Sequence, residues 1–107
     1  MNDVTYLEAS RKLAERVMKE RRASPEDRIE LAFRLATARR PTSREMRVLR
    51  EALSSYLDDY GRDPEAARQY LSQGDSTRDE ELDVSELAAY ATLANLILNL
   101  DETITKE

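Results

Sequence analysis

The sequence predicts an all-α fold: a compact bundle or orthogonal array of about five helices around a buried C-terminal helix. The chain of 107 residues contains only two Gly and three Pro, which leaves little scope for tight hairpin turns. No segment rich in Val, Ile or Thr alternates apolar and polar residues with a period of two. Helix-start signals recur instead, and apolar residues follow them at intervals of three and four. We therefore expect a single helical domain over residues 1–107.

The stretch from Asp83 to Leu100 predicts the central helix. It opens with a predicted capping box, in which the Asp83 carboxylate accepts a hydrogen bond from the N–H of Glu86 and the Glu86 side chain accepts one from the N–H of Asp83. Apolar side chains then follow on two faces, so other helices have to surround this one. Polar residues such as Thr92 and Asn95 interrupt the stretch. A membrane span needs about 20 mostly apolar residues, so none is expected.

Two helices are predicted before residue 42. The first is capped by Asn2 or Asp3 and runs from about Val4 to Arg22. Its predicted solvent-facing residues are Arg11, Lys12, Arg16 and Lys19. The second begins with Ser24 as N-cap and Pro25 at the first helical position. It ends at Arg39-Arg40-Pro41, because the residue before a proline is disfavoured in the α region.

Two further helices are predicted between residues 42 and 74. Thr42 to Glu45 forms a capping box that opens the third helix, and Gly61 is a natural left-handed residue to end it. Asp63-Pro64 begins a fourth, shorter helix, which Gly74 closes. An acidic loop from Asp75 to Leu82 then leads into the central helix.

The charge is unevenly distributed along the chain, which has a net charge of −5. Residues 1–50 hold 13 Lys and Arg against 8 Asp and Glu, whereas residues 51–107 hold 4 against 14. We interpret this as two halves that complement each other when folded. A nucleic-acid interface is not predicted, because basic residues do not alternate with aromatic ones and no glycine-rich clamp is present.

The sequence contains no Cys and no His. This excludes a thiol nucleophile, a Ser-His-Asp relay, the usual zinc site and a haem attachment motif within this chain. No catalytic residue, metal ligand or cofactor-binding residue is therefore assigned to it. No signal peptide is visible, so the protein is cytoplasmic if the chain is complete, or the chain is a piece of something larger.

The segment from Asp75 to Glu86 suggests a calcium loop. Asp75, Thr77, Asp79, Asp83 and Glu86 fall at ligand positions of an EF-hand loop. Glu80 stands where that loop has a Gly for its sharp turn. The capping roles of Asp83 and Glu86 explain the same residues without a metal, and both interpretations stay open.

A polar stripe on the central helix is the second candidate site. It consists of Thr92, Asn95, Asn99 and Glu102. Buried polar groups need partners, so these side chains either pair within the fold or bind a ligand or a neighbouring domain. Asp101 and Glu102 are adjacent acids, but we expect them at a fraying helix end, where an acid–base pair is poorly positioned.

Two other residue sets have both a functional and a structural interpretation. The tyrosines Tyr56, Tyr60, Tyr70 and Tyr90 could line a pocket, but at helical spacing they are expected in the core with the hydroxyl at its rim. Arg39 and Arg40 precede the third helix and could attract an anion there, or be solvated turn charges.

Several segments, in order over nearly the whole chain, carry a family resemblance. They are Asn2-Asp3, Glu8 to Ala14, Ala32 to Ala36, Arg40-Pro41-Thr42 with Glu45, Leu87 to Tyr90, and Ala94 to Glu102. Together they resemble the C-terminal part of the planctomycete-specific domain of unknown function, found in large exported proteins that often carry a planctomycete-type c-type cytochrome domain. Arg40 stands where that family often has a second Pro, and Tyr90 where Trp is common.

The resemblance implies a C-terminal fragment of an exported multidomain protein, located in the periplasm or cell envelope, with any haem elsewhere in the parent. Our expected function is a non-catalytic helical module that supports or docks other domains of the same chain, with a homodimer left open. One alternative is that it contributes carboxylates to a hydrolase-like site in the parent. Another is a free-standing cytoplasmic dimerisation or regulatory domain, which requires that the open reading frame begin at Met1.

Overall fold

Five α-helices make up the computed structural model, which describes residues 4–20, 23–72 and 79–105, with side chains between residues 7 and 100. The helices are α1 (Val4–Met18), α2 (Pro25–Thr37), α3 (Ser43–Arg62), α4 (Pro64–Leu71) and α5 (Val84–Thr105). The described residues contain no β-strand. The predicted all-α class and the number of helices are confirmed.

Helix α5 lies at the centre, as its two apolar faces predict. Leu87, Leu93 and Ile97 are fully buried along it, and each of the other four helices packs against it. The Asp83 carboxylate accepts from the N–H of Glu86 at 2.9 Å, which is the predicted cap. The predicted return bond, from the Asp83 N–H to the Glu86 side chain, does not form, and the Glu86 carboxylate lies instead 4.0 Å from the guanidinium of Arg28 on α2.

The other four helices each bury a short apolar stripe against α5. The buried apolar residues of these stripes are Leu7, Ala14, Val17 and Met18 of α1, Ile29, Ala32 and Phe33 of α2, Leu49 and Leu53 of α3, and Ala67 and Leu71 of α4. Burying a large aliphatic or aromatic side chain contributes about 1.5–3 kcal/mol, so these stripes hold the helices together around α5. No helix in the described ranges is both long enough and apolar enough to cross a membrane.

Capping boxes start α2 and α3 where the sequence places their N-caps. The Ser24 hydroxyl accepts from the N–H of Asp27 at 3.1 Å, and the Asp27 carboxylate accepts from the N–H of Ser24 at 3.3 Å. Thr42 and Glu45 exchange the same two bonds at 3.1 and 2.8 Å. Each box satisfies two backbone donors that a helix N-terminus otherwise leaves without partners.

The helix ends differ from the sequence prediction. Helix α1 ends at Met18 instead of about Arg22, and the Arg28 side chain donates to the Met18 carbonyl at 3.3 Å just past that end. Gly61 does not end α3, because the helix continues to Arg62 and Asp63 then caps both α3 and α4. The predicted closing residue Gly74 lies outside the described residues.

The left-handed position that ends a helix is occupied by Ala38. Its φ of 63° makes it the C-cap of α2, and its N–H donates to the Arg34 carbonyl at 2.9 Å. A residue with a Cβ is strained in this conformation, which usually selects Gly. The sequence offered no Gly here, so the turn was predicted only from the following proline.

Candidate functional site

The predicted polar stripe of α5 faces the tyrosines of α3 and α4. Thr92, Asn95 and Asn99 are half-buried, and the Thr92 hydroxyl lies 3.2 Å from the hydroxyl of Tyr60. The ring of Tyr60 in turn lies 6.2 Å, centroid to centroid, from that of Tyr70. The structure thus brings together two residue sets that the sequence analysis treated separately.

Thr92 is the middle residue of a short hydrogen-bond relay. Its Oγ1 donates to the Ala88 carbonyl one turn earlier, at 2.8 Å. A hydroxyl has a single proton, so at the 3.2 Å contact Tyr60 is the donor and Thr92 the acceptor. The Ser85 hydroxyl also donates to the Tyr60 carbonyl at 2.9 Å, so α5 holds the last turns of α3 at two points.

The Tyr70 hydroxyl from α4 completes this side of the cluster. It is buried, and burial raises the pKa of Tyr70, although the nearby Thr92 and Asn95 side chains pull it the other way. The buried Tyr70 hydroxyl forms no regular hydrogen bond with the described residues. Burial also raises the pKa of Tyr56, and proximity to Tyr60 adds to the effect.

The two amides of the stripe bind each other. The Asn99 Nδ2 donates to the Asn95 Oδ1 at 3.2 Å, one turn apart on α5. We call Tyr56, Tyr60, Tyr70, Thr92, Asn95 and Asn99 the tyrosine–amide cluster. The side chains of Asp101 and Glu102, the other two predicted members of the site, lie outside the described residues, so their role stays a prediction.

The chemistry of the tyrosine–amide cluster is hydrogen bonding. Phenols, hydroxyls and amides do not change charge near neutral pH, and burial moves the phenols of Tyr56 and Tyr70 further from it. A general acid or base needs a group that titrates close to the working pH. The described members of the cluster therefore suit holding α3, α4 and α5 in register, or hydrogen bonding to a neutral polar partner.

The fourth predicted tyrosine, Tyr90, lies apart from this cluster. It is buried in the core, and the guanidinium of Arg28 sits 5.6 Å from its ring centroid. An arginine over an aromatic face is attracted by the ring quadrupole. Tyr90 therefore packs between α5 and α2 and is not part of a pocket lined by the other tyrosines.

The described part of the proposed calcium loop is engaged in other contacts. Asp79 accepts from the N–H of Glu81 at 3.0 Å and lies 3.7 Å from Lys19. Asp83 caps α5, and Glu86 faces Arg28. Asp75 and Thr77 lie outside the described residues. Within the described ranges no three acidic side chains gather as metal ligands would, and the loop as a whole stays untested.

Two buried charged side chains on α1 were not predicted from the sequence. Arg11, predicted to face solvent, is only 3% exposed, and its Nη1 donates to the carbonyl of Leu71 at the end of α4, at 2.9 Å. Glu15, 7% exposed, accepts from the N–H of Asp79 at 2.8 Å. The prediction for Arg11 was wrong because its long side chain reaches a helix end whose last carbonyls need donors.

The arginines near the start of α3 are paired with carboxylates. Arg39 makes two hydrogen bonds to Glu45, both 2.9 Å, and lies 4.8 Å from the ring of Phe33. Arg40 lies 3.8 Å from Glu30, beside a groove of about 360 Å³ at the α3 N-terminus. Together with the Thr42 N–H, Arg39 lowers the pKa of Glu45 to about 2. Both arginines are exposed turn charges with partners.

Ion pairs between the two oppositely charged halves are a minority in the described structure. Lys19–Asp79 at 3.7 Å and Arg28–Glu86 at 4.0 Å join them. The other described pairs lie within a half, and several are three or four residues apart on one helix. Exposed pairs of this kind contribute about 0–1 kcal/mol each, so complementary charge is a small part of what holds the halves together.

The fold and the tyrosine–amide cluster define a class: an all-α helical module in which half-buried polar groups hydrogen-bond α3 to α5, with Tyr70 of α4 packed beside Tyr60. Residues 1–53 match the model of a family described as PSD1, protein of unknown function (DUF1553). No curated protein and no solved structure matches the chain.

Proposed function

We propose that this chain is a non-catalytic helical module that supports or docks other domains of a larger protein. The observation that carries the proposal is the relay from Tyr60 through Thr92 to Ala88, which uses polar groups of the candidate site to join α3 to α5. Satisfied polar networks fix one packing arrangement, which suits a part that holds shape. The match of residues 1–53 to a family of unknown function assigns no activity.

The parent protein is proposed from the sequence resemblance. We infer a large exported protein of the planctomycete-specific type, in which this module occupies the C-terminal part in the periplasm or cell envelope. A c-type cytochrome domain is often present in such proteins, and its haem would lie elsewhere in the parent. This chain does not fit haem attachment, since it contains neither Cys nor His.

Binding in trans tests the docking function. The isolated chain is mixed with the rest of the parent protein, and complex formation is followed by calorimetry. We expect a saturable complex, because a docking module retains its surface when separated from its neighbours. No heat of binding at micromolar to millimolar concentrations would contradict the docking function.

The alternative, that Asp101 and Glu102 complete a hydrolase-like site, needs a separate experiment in the full-length parent. Both acids are changed to amides, and turnover and thermal stability are measured. The matched control changes Asp58 and Asp59, an adjacent and exposed acid pair on α3, in the same way. We expect neither variant to alter turnover; a loss confined to the first pair, with folding unchanged, would favour the enzyme.

A further inference from the structure

An apolar groove opens on the surface where the end of α5 passes the start of α3. It has a volume of about 210 Å³ and is lined by Phe33, Arg44, Glu45, Val48, Leu49 and Leu100. Val48 is 51% exposed and Leu100 is 43% exposed, which makes them two of the three most exposed large apolar side chains in the described structure. These two exposed side chains and the groove between them offer a small apolar contact surface bordered by charge.

Two opposite charges flank Val48 on α3. Arg44 precedes it by four residues and Glu51 follows it by three, a spacing that places all three on one stripe of the helix. Both charged side chains are exposed, and neither forms an ion pair or hydrogen bond with the described part of the chain. Arg44 and Glu51 are seven positions apart, roughly 10 Å along the helix, so they do not pair with each other.

The Arg44 and Glu51 positions of this stripe are self-complementary, and the exposed Arg47 lies at the edge of the stripe. When two copies of α3 pack antiparallel with their Val48 side chains near a two-fold axis, Arg44 of each copy lies opposite Glu51 of the other. In a two-fold interface every contact between residues i and j occurs twice, so this arrangement gives two intermolecular ion pairs around one apolar centre. Ser55 continues the stripe with a small side chain, which allows the second helix to approach closely.

We propose that this face, made of Arg44, Val48, Glu51 and Leu100 and called here the Val48 face, is a self-association surface whose partner is a second copy of the chain. The proposal rests on the proposed function as an interaction module and names its partner. Opposite charges at nearly equal distances on either side of an exposed valine match the two-fold symmetry of a contact between identical chains. Because the apolar centre is small, the dimer belongs to the weak, salt-sensitive class of contacts.

Sedimentation equilibrium over protein concentrations from micromolar to millimolar tests the proposal. We expect reversible dimer formation at low ionic strength, weakened when salt screens the two ion pairs. Arg44→Glu alone places like charges opposite each other, as does Glu51→Arg, and each is expected to weaken association by roughly tenfold or more. The double variant exchanges the two charges and is expected to restore it.

The matched control is Arg68→Glu, the same charge reversal at an exposed site on α4. It is expected to leave association unchanged, and thermal unfolding of every variant confirms that folding is intact. A protein that stays monomeric at all concentrations overturns the proposal. Equal weakening by the control, or a double variant no better than the single ones, overturns it as well.

Two results separate this proposal from the docking function. A chain that dimerises through the Val48 face but does not bind the rest of the parent supports self-association and contradicts docking. A monomeric chain whose binding to the rest of the parent is lost in Arg44→Glu overturns self-association and assigns the same face to another domain.

Discussion

Replacing Thr92 by Val removes the hydroxyl at the centre of the tyrosine–amide cluster while keeping nearly the same side-chain shape. The Ala88 carbonyl loses its 2.8 Å bond from Oγ1 but keeps a second lone pair for the main-chain bond of the helix. The Tyr60 hydroxyl loses the acceptor that lay 3.2 Å away. The effect on stability is therefore set mainly by a half-buried phenol left without a partner.

The expected loss follows from the geometry of that contact. A hydrogen bond between neutral groups contributes about 0.5–1.5 kcal/mol net, so Thr92→Val should lower the free energy of unfolding by about 1 kcal/mol. For a domain of this size that corresponds to a drop of about 4–8 °C in Tm. Tyr60→Phe removes the donor of the same bond and should cost a similar amount. The double variant removes both polar groups, so its loss should stay near that of one substitution.

Urea unfolding followed by far-ultraviolet circular dichroism measures all four members of this cycle. The matched control is Tyr56→Phe, which makes the same chemical change on the same helix. Its hydroxyl forms no hydrogen bond within the described ranges, so a change of no more than about 0.5 kcal/mol is expected. Losses that add fully in the double variant would show that Tyr60 and Thr92 are not coupled, and would refute the reasoning.

Three further substitutions test other parts of the fold. Ala38→Gly relieves a left-handed residue and should raise the free energy of unfolding by about 0.5–1 kcal/mol in urea unfolding; a decrease would contradict the strain. Arg11→Met keeps an apolar side chain of similar length but removes the donor to the Leu71 carbonyl, and should lower Tm by at least about 4 °C. An unchanged Tm would mean that water replaces the lost hydrogen bond. The third substitution is at Glu45, whose pKa is lowered to about 2 in the folded state. The ionised carboxylate therefore stabilises the fold at any pH above its unfolded-state pKa of about 4.3, and this stabilisation is lost as the pH falls toward 2. Since Glu45 is a third exposed, its contribution is about 1 kcal/mol. Glu45→Gln should therefore be less stable than wild type to urea at neutral pH, and the difference should disappear as the pH falls from about 4.3 to 2. A disadvantage that stays constant from neutral pH to pH 2 would refute this.

The parts of the fold that were predictable from sequence are the parts decided within one helical turn. The capping box of Thr42 and Glu45 involves residues three apart, so its chemistry is visible in the sequence itself. The burial of α5 was predictable for a similar reason, since apolar residues on two faces allow no exposed arrangement. Gly61 failed as a helix end because Asp63, two residues later, supplies the cap for two helices at once.

The sequence predicted which residues belong to the candidate site but not most of the contacts between them. Asn95 and Asn99 are one turn apart and their contact was within reach of spacing arguments. The hydrogen bond between Tyr60 and Thr92 joins residues that are 32 positions apart in the sequence. No local pattern indicates which tyrosine contacts Thr92. The burial of Arg11 could have been predicted from its position, because it lies four residues after Leu7 and three before Ala14, on the apolar stripe of α1.

The family match and the helix architecture end at different places. The match stops at residue 53, and Leu53 is a buried residue in the middle of α3. A polypeptide cut there would retain α1, α2 and half of α3 but lose α5, against which all of them pack. Its exposed apolar stripes would favour aggregation over a defined fold, so independent folding requires residues well past those that match the family model.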